Sequence, residues 1–145
     1  MPTVPPPPDS PSPTPFRGFA VLVVDDDAGV LDGTRQMLER LGAWVSTAQT
    51  GAAGLRAAAL HRPHLILIDL DMPVMDGFEL ARRFRQDTQL GRTRLVALTS
   101  ARYRPSAMRG WSVEFDGHIA KPVTAEALAA LARHVPGGRA STAPQ

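Results

Sequence analysis

Short apolar runs alternate with helical patterns of apolar residues along most of the chain. Continuous apolar runs at residues 21–24, 65–68 and 95–98 predict three strands buried on both faces of a parallel sheet. Residues 44–48 and 117–120 predict two further, shorter strands. Each predicted strand is followed by a segment that favours a helix.

Five helices are predicted, at residues 30–41, 51–61, 78–86, 105–113 and 124–135. In the first, apolar residues recur at i, i+3, i+4 and i+7, and Gly42 provides a stop signal. The fourth is the weakest, because Pro105 and Gly110 fall within it. Thr124 can cap the last helix. These alternating units predict an α/β fold, with a parallel sheet covered by helices on both faces.

The ends of the chain differ from its middle in composition. Residues 1–15 contain eight of the 14 prolines, which predicts a disordered or polyproline II tail over residues 1–16. This tail is either passive or a ligand for an SH3-type domain. A folded domain is expected over residues 17–135, with a flexible tail at 136–145 and no second domain.

Charge and composition exclude several classes of function. The formal net charge is +2 and the arginines are scattered, so nucleic-acid binding is not expected. No apolar run approaches the roughly 20 residues of a membrane span, and the N-terminus lacks a secretory pattern. A cytoplasmic protein without membrane contact is expected. The chain has no cysteine, so disulfides and thiolate chemistry are excluded.

Polar side chains follow four of the predicted strands. They are carboxylates, hydroxyls and an ammonium, namely Asp25, Asp26 and Asp27, then Asp69 and Asp71, then Thr99 and Ser100, then Lys121. In parallel sheets ligands bind beyond the carboxyl ends of the strands, so these groups should converge. Lys121 is the only lysine in a chain with 15 arginines, which indicates a site that needs a compact point charge.

This combination of groups predicts phosphoryl transfer. Crowded carboxylates repel one another, and a divalent cation relieves the repulsion. Oxygen ligands without nearby His or Cys suit Mg²⁺. A carboxylate that faces the metal, a lysine and a hydroxyl can act as the nucleophile and form an aspartyl phosphate.

Four motifs carry a resemblance to a known family. They are Val23-Val24-Asp25-Asp26-Asp27, Asp69-Leu70-Asp71-Met72-Pro73 with Asp76-Gly77, Leu98-Thr99-Ser100, and Lys121-Pro122. With them, the chain resembles the receiver domains of two-component response regulators from about residue 19 to residue 135. The resemblance implies a doubly wound, CheY-like (flavodoxin-like) fold with strand order 2-1-3-4-5. It also implies a cis peptide bond before Pro122.

The resemblance assigns roles to the acidic residues. Asp69 is implied as the phosphoacceptor. Asp25 and Asp26 are implied to ligate or orient Mg²⁺, together with Asp69 and the backbone carbonyl of Asp71. The chain would then catalyse only its own phosphorylation and dephosphorylation, and would not be an enzyme in the usual sense.

The resemblance also implies a switch and partners. Thr99 would bind the phosphoryl group and trigger the switch, Lys121 would pair with it, and His118 occupies the switch position. A sensor histidine kinase or a histidine phosphotransfer protein would supply the phosphoryl group. The domain would relay it onward, or dock a target on the face made by the fourth helix, the fifth strand and the last helix.

Two other functions remain as alternatives. Asp69-Leu70-Asp71 satisfies the Asp-x-Asp motif of haloacid dehalogenase phosphatases, although Pro73 stands where that class has Thr or Val and the motif falls on the third strand. A pseudo-receiver that never accepts phosphate is the second alternative. The complete acidic set and Lys121 argue against it.

The remaining notable residues are assigned structural roles. Asp27 and Asp76-Gly77 are expected to start helices. The other histidines are interpreted as surface residues and the two tryptophans as packing residues, namely His61, His64, His134, Trp44 and Trp111.

Overall fold

The computed structural model describes residues 14–70, 72, 76–100 and 115–135 of the 145-residue chain. Its strands are Ala20–Val24 (β1), Trp44–Ala48 (β2), Leu65–Asp69 (β3), Arg94–Thr99 (β4) and Gly117–Ala120 (β5). They form one parallel sheet in the order β2-β1-β3-β4-β5. This confirms the predicted α/β fold and the strand order that the resemblance implied.

The described helices are Ala28–Arg40 (α1), Gly51–His61 (α2), Gly77–Arg85 (α3) and Ala125–Leu131 (α4). Each begins after a residue whose side chain accepts a backbone N–H of the first turn, and these residues are Asp27, Thr50, Asp76 and Thr124. α4 is the last predicted helix. The predicted helix at 105–113 lies outside the described residues, as do residues 1–13 and 136–145. Among the described helices, none has the length and apolar character needed to cross a bilayer.

The sheet separates two apolar layers. One layer contains the inner faces of α2 and α3, and the other contains those of α1 and α4. All five residues of β3 are buried, because this strand lies between β1 and β4 and is covered on both faces. The continuous apolar runs in the sequence therefore mark the interior strands, whose carboxyl ends open at one edge of the sheet.

Three residues are placed differently from the sequence interpretation. Phe16, assigned to the tail, is fully buried, because its ring packs edge-on against Phe19 with centroids 5.6 Å apart. His64, assigned to the surface, is partly buried, and its Nδ1 accepts the N–H of Ala20 at 2.9 Å. Trp44, assigned to packing, is 79% exposed because it starts an edge strand. His61 and His134 are exposed, as predicted.

Candidate functional site

Three carboxylates converge at the carboxyl ends of β1 and β3. Asp25 follows the last residue of β1, and Asp69 is the last residue of β3. These strands are neighbours in register, so their ends lie side by side. Carboxylate oxygens of Asp25, Asp26 and Asp69 lie within 4.8 Å of one another. The convergence predicted from the sequence therefore occurs for these three residues.

Lys121 connects β5 to the carboxylates. Its Nζ lies 3.0 Å from Oδ2 of Asp25 and 3.2 Å from Oδ1 of Asp69. Its backbone N–H donates to the carbonyl of Thr99 at 2.7 Å, and the peptide bond to Pro122 is cis, as the resemblance implied. Burial alone would lower the pKa of Lys121, but hydrogen bonding and attraction to the two aspartates raise it above its ordinary value. The lysine is therefore held as a cation.

Asp25 is the most buried carboxylate of the site. Its side chain is fully buried, and Oδ1 accepts the N–H of Asp27 at 3.0 Å. Burial raises the pKa of Asp25 above its ordinary value, although the Asp27 N–H and Lys121 oppose that rise. Its Oδ2 has an ion-pair distance to Lys121 but no well-aligned hydrogen bond. Within the described part of the chain, this buried oxygen is therefore balanced by the charge of Lys121 and by no aligned donor.

The carboxylate cluster fits a divalent cation. Asp25 and Asp69 are buried whereas Asp26 is exposed, so the three ligand oxygens line an opening between the protein interior and solvent. Lys121 supplies one positive charge against three carboxylates. An all-oxygen donor set with an open side is the kind of site that Mg²⁺ prefers, because this ion keeps some of its water. Asp71 lies outside the described residues.

A hydroxyl group lies at the end of β4, between the carboxylates and β5. Thr99 is buried, and its Oγ1 donates to the carbonyl of Ile119 at 3.4 Å, which is a long hydrogen bond. The Oγ of Ser100 is buried and has no hydrogen-bond partner among the described residues. His118, on β5, is exposed. Thr99 is therefore linked to the strand that carries the expected switch residue.

Gly77 packs against the end of β3, a contact that the sequence interpretation missed. A Cβ on Gly77 would lie 2.6 Å from the carbonyl oxygen of Asp69 and 2.8 Å from Cα of Leu70. Only glycine lets the start of α3 approach the end of β3 this closely. The Asp76-Gly77 pair signalled a helix start, and Asp76 does cap α3. The contact with β3 joins residues that no local pattern relates.

Comparisons with known proteins identify the family. The family model for the response regulator receiver domain matches residues 21–133. The transcriptional regulatory protein AfsQ1 of Streptomyces coelicolor is 34% identical over 116 residues, which cover 80% of this chain and 50% of AfsQ1. The chain thus spans about half the length of this curated relative. The match is to the receiver family, and Asp69 ends the third strand, so the haloacid dehalogenase alternative is not supported.

Solved structures of similar proteins agree with this family assignment. The chemotaxis protein CheY4 of Vibrio cholerae is 30% identical with a TM-score of 0.74, covering 81% of this chain and 98% of that one. The receiver domain of the sensor histidine kinase PA1611 from Pseudomonas aeruginosa, solved with a magnesium ion coordinated in its active site cleft, is 26% identical. Its TM-score is 0.74, and the match covers 83% of this chain and 99% of that one. This chain therefore belongs to the response regulator receiver domain family and serves as a phosphoacceptor domain in two-component signalling.

Proposed function

We propose that Asp69 is the residue that accepts the phosphoryl group, and that Mg²⁺ binds between Asp25, Asp26, Asp69 and the backbone carbonyl of Asp71. The main observation behind this proposal is the position of the Lys121 ammonium, which lies within 3.2 Å of carboxylate oxygens of both Asp25 and Asp69. The positive charge of this ammonium, held beside the three carboxylates, complements the negative charge of the oxygens on an incoming phosphoryl group. The magnesium ion in the PA1611 receiver domain supports the choice of metal.

The transfer is a displacement at phosphorus. A carboxylate oxygen of Asp69 attacks the phosphorus of a phosphohistidine, so that an O–P bond forms while the P–N bond breaks. The imidazole leaves with the electron pair of that bond and takes a proton from solvent. Lys121 then pairs with a phosphoryl oxygen instead of the free carboxylate. When bound, Mg²⁺ would supply further neutralisation of the phosphoryl oxygens.

Thr99 is the proposed trigger of the conformational switch. Its long hydrogen bond to the carbonyl of Ile119 can be exchanged for a shorter one to a phosphoryl oxygen, because the acceptor then carries charge. Ile119 follows His118 on β5. Loss of the bond from Thr99 therefore removes a contact that holds the backbone of β5 next to the proposed switch residue. The hydroxyl thereby gives phosphorylated and unphosphorylated states different contacts, as a switch requires.

The proposed partners are a histidine kinase or histidine phosphotransfer protein and a downstream target. A groove of about 740 Å³ runs beside β5 and α4, and its lining includes His118, Arg94, Asp116 and Leu131. A groove next to the switch residue supports target docking on this face. The proposed location is the cytoplasm, and the proposed catalysis is limited to the domain's own phosphorylation and dephosphorylation.

Intact-mass measurement after phosphorylation tests the acceptor. With Mg²⁺ and acetyl phosphate or a phosphorylated kinase, the protein should gain one acid-labile phosphoryl group, and EDTA should prevent the gain. Asp69→Asn should abolish it while retaining side-chain shape. Asp27→Asn is the matched control, because Asp27 is exposed and its Oδ1 caps α1, and it should be phosphorylated normally. Phosphorylation of Asp69→Asn would refute the assignment, and failure of wild-type protein with every donor would favour the pseudo-receiver alternative.

A further inference from the structure

Trp44 places an indole on the protein surface at the start of the edge strand β2. This residue is 79% exposed, and Leu60, near the end of α2, is 77% exposed. Trp44 pairs with Ala20 in the sheet, and His64, four residues after Leu60, donates its backbone N–H to the carbonyl of Ala20. Both apolar side chains therefore lie at the end of the sheet opposite the carboxylates. We call Trp44 and Leu60 together the Trp44 surface.

The proline-rich N-terminal segment joins the folded domain beside this surface. Thr14 packs so closely on Gly42 that a Cβ on that glycine would lie 3.1 Å from the Cβ of Thr14. The chain is anchored there because the buried Phe16 donates its N–H to the carbonyl of Leu41 at 2.9 Å. Gly42 precedes Trp44 by two residues. The point from which residues 1–13 extend is therefore fixed beside the backbone two residues before Trp44.

The composition of residues 1–13 suits an aromatic surface. This segment contains seven prolines, four of them consecutive at residues 5–8, and its charged side chain is Asp9. Proline-rich segments adopt polyproline II structure before binding, so docking on an aromatic surface orders few additional torsions. Residues 5–8 stand six to nine positions before Thr14, a contour of roughly 20–30 Å in polyproline II. Trp44 follows Gly42, the anchor point of Thr14, by two residues, which span at most about 7 Å. The contour of roughly 20–30 Å is therefore long enough for residues 5–8 to fold back to Trp44.

We propose that residues 5–8 of this chain dock intramolecularly on the Trp44 surface. The prolines cover the exposed indole and Leu60, which otherwise remain in contact with water. Exposed arginines at this end, Arg17 and Arg40, complement the carboxylate of Asp9. Docking also shields the open edge of β2, which is a template for pairing with another chain.

Spin-label NMR on the full chain tests the contact. Because the chain has no cysteine, Thr3→Cys creates a single site for a nitroxide label. The readout is relaxation enhancement of the Trp44 indole N–H, assigned by its loss in Trp44→Phe. The matched control carries the same label, with prolines 5–8 replaced by serine to keep the tail length. The enhancement should fall severalfold in the serine variant, and, with Trp111→Phe in both chains, acrylamide should quench Trp44 fluorescence more readily there.

Three results would overturn the proposal. Equal enhancement in the two labelled chains would show that the tail samples the indole only by diffusion. Enhancement in a mixture of labelled unenriched and unlabelled ¹⁵N-enriched chains would place the contact between two copies. An unchanged chemical shift of the Trp44 indole N–H in the ¹⁵N-enriched chain, on adding an unenriched SH3 or WW domain that captures the prolines, would show that the indole was never covered.

Discussion

Replacing Gly77 by alanine should destabilise the domain, although alanine is the better helix former. The added Cβ would meet the carbonyl oxygen of Asp69 at 2.6 Å and Cα of Leu70 at 2.8 Å. Both atoms belong to the backbone of the central β3 region, so no side-chain rotation can relieve the contact. Either α3 or the end of β3 must move. Overpacking of this kind costs about 1–3 kcal/mol, which exceeds the helix-propensity gain of at most about 1 kcal/mol.

Gly33→Ala is the matched control for this substitution. Gly33 is exposed within α1, and a Cβ there would meet no atom of the described residues within 4 Å outside the adjacent helix backbone. Its replacement should therefore stabilise the domain by about 0.5–1 kcal/mol through helix propensity alone. Urea denaturation of both variants gives the free energies of unfolding, and unchanged m-values would show that the unfolded states remain comparable.

The substitution should also slow phosphorylation, because Asp69 provides both the contacted carbonyl and the proposed nucleophile. A shift of its backbone changes the 3.2 Å separation between its carboxylate and Lys121. The rate with acetyl phosphate, measured well below the unfolding transition, should fall in Gly77→Ala and stay normal in Gly33→Ala. If Gly77→Ala proved as stable as Gly33→Ala and reacted at the wild-type rate, the assigned role of Gly77 would be wrong.

Three further predictions concern charge and hydrogen bonding. Asp26→Asn should weaken Mg²⁺ binding in calorimetry at least tenfold, about 1.4 kcal/mol, whereas unchanged affinity would remove Asp26 from the site. Burial lowers the pKa of His64 below its ordinary value of 6.5. As the pH falls below about 6.5, the unfolded chain therefore binds a proton at this histidine before the folded protein does. The free energy of unfolding should decrease as the pH falls from about 6.5 through the folded-state pKa. His64→Asn, which keeps an acceptor for the N–H of Ala20, should reduce the slope of unfolding free energy against pH in acid denaturation. The exposed His61→Asn should leave that slope unchanged, and equal slopes in the two variants would contradict the reasoning. Asp116→Ala should cost about 1–2 kcal/mol in urea denaturation, because the N–H of Leu95 loses its acceptor at 2.9 Å, and Asp116→Asn, which keeps an acceptor, should cost less.

Most secondary structure followed from local patterns in the sequence. The predicted helix at 51–61 and strands at 44–48 and 117–120 agree with the observed bounds. Agreement is good because apolar periodicity, caps such as Thr124 and stops such as Gly42 act over a few residues. The placement of Asp25 and Asp69 at strand ends was equally local, since each directly follows an apolar run.

The errors arose where distant parts of the chain meet. Phe16 follows a proline-rich stretch, but its burial depends on Phe19 and on the carbonyl of Leu41. His64 looked like a surface residue because nothing nearby in sequence reveals the N–H of Ala20. Trp44 looked like a packing residue because the sequence pattern does not say which strand forms the edge of the sheet.

The sequence alone determined the alternation of strands and helices and the types of group at the strand ends, because both depend on neighbouring residues. The strand order was inferred only through the family resemblance, and the tertiary structure shows it directly. The tertiary structure also decided the distances from Lys121 to Asp25 and Asp69 and the close approach of Gly77 to β3. The Lys121 distances depend on how separate units pack in the sheet, which joins residues up to about a hundred positions apart, beyond the reach of periodicity or propensity. The Gly77 contact depends on how α3 folds back onto the end of β3, which neither the strand pattern nor the helix pattern describes by itself.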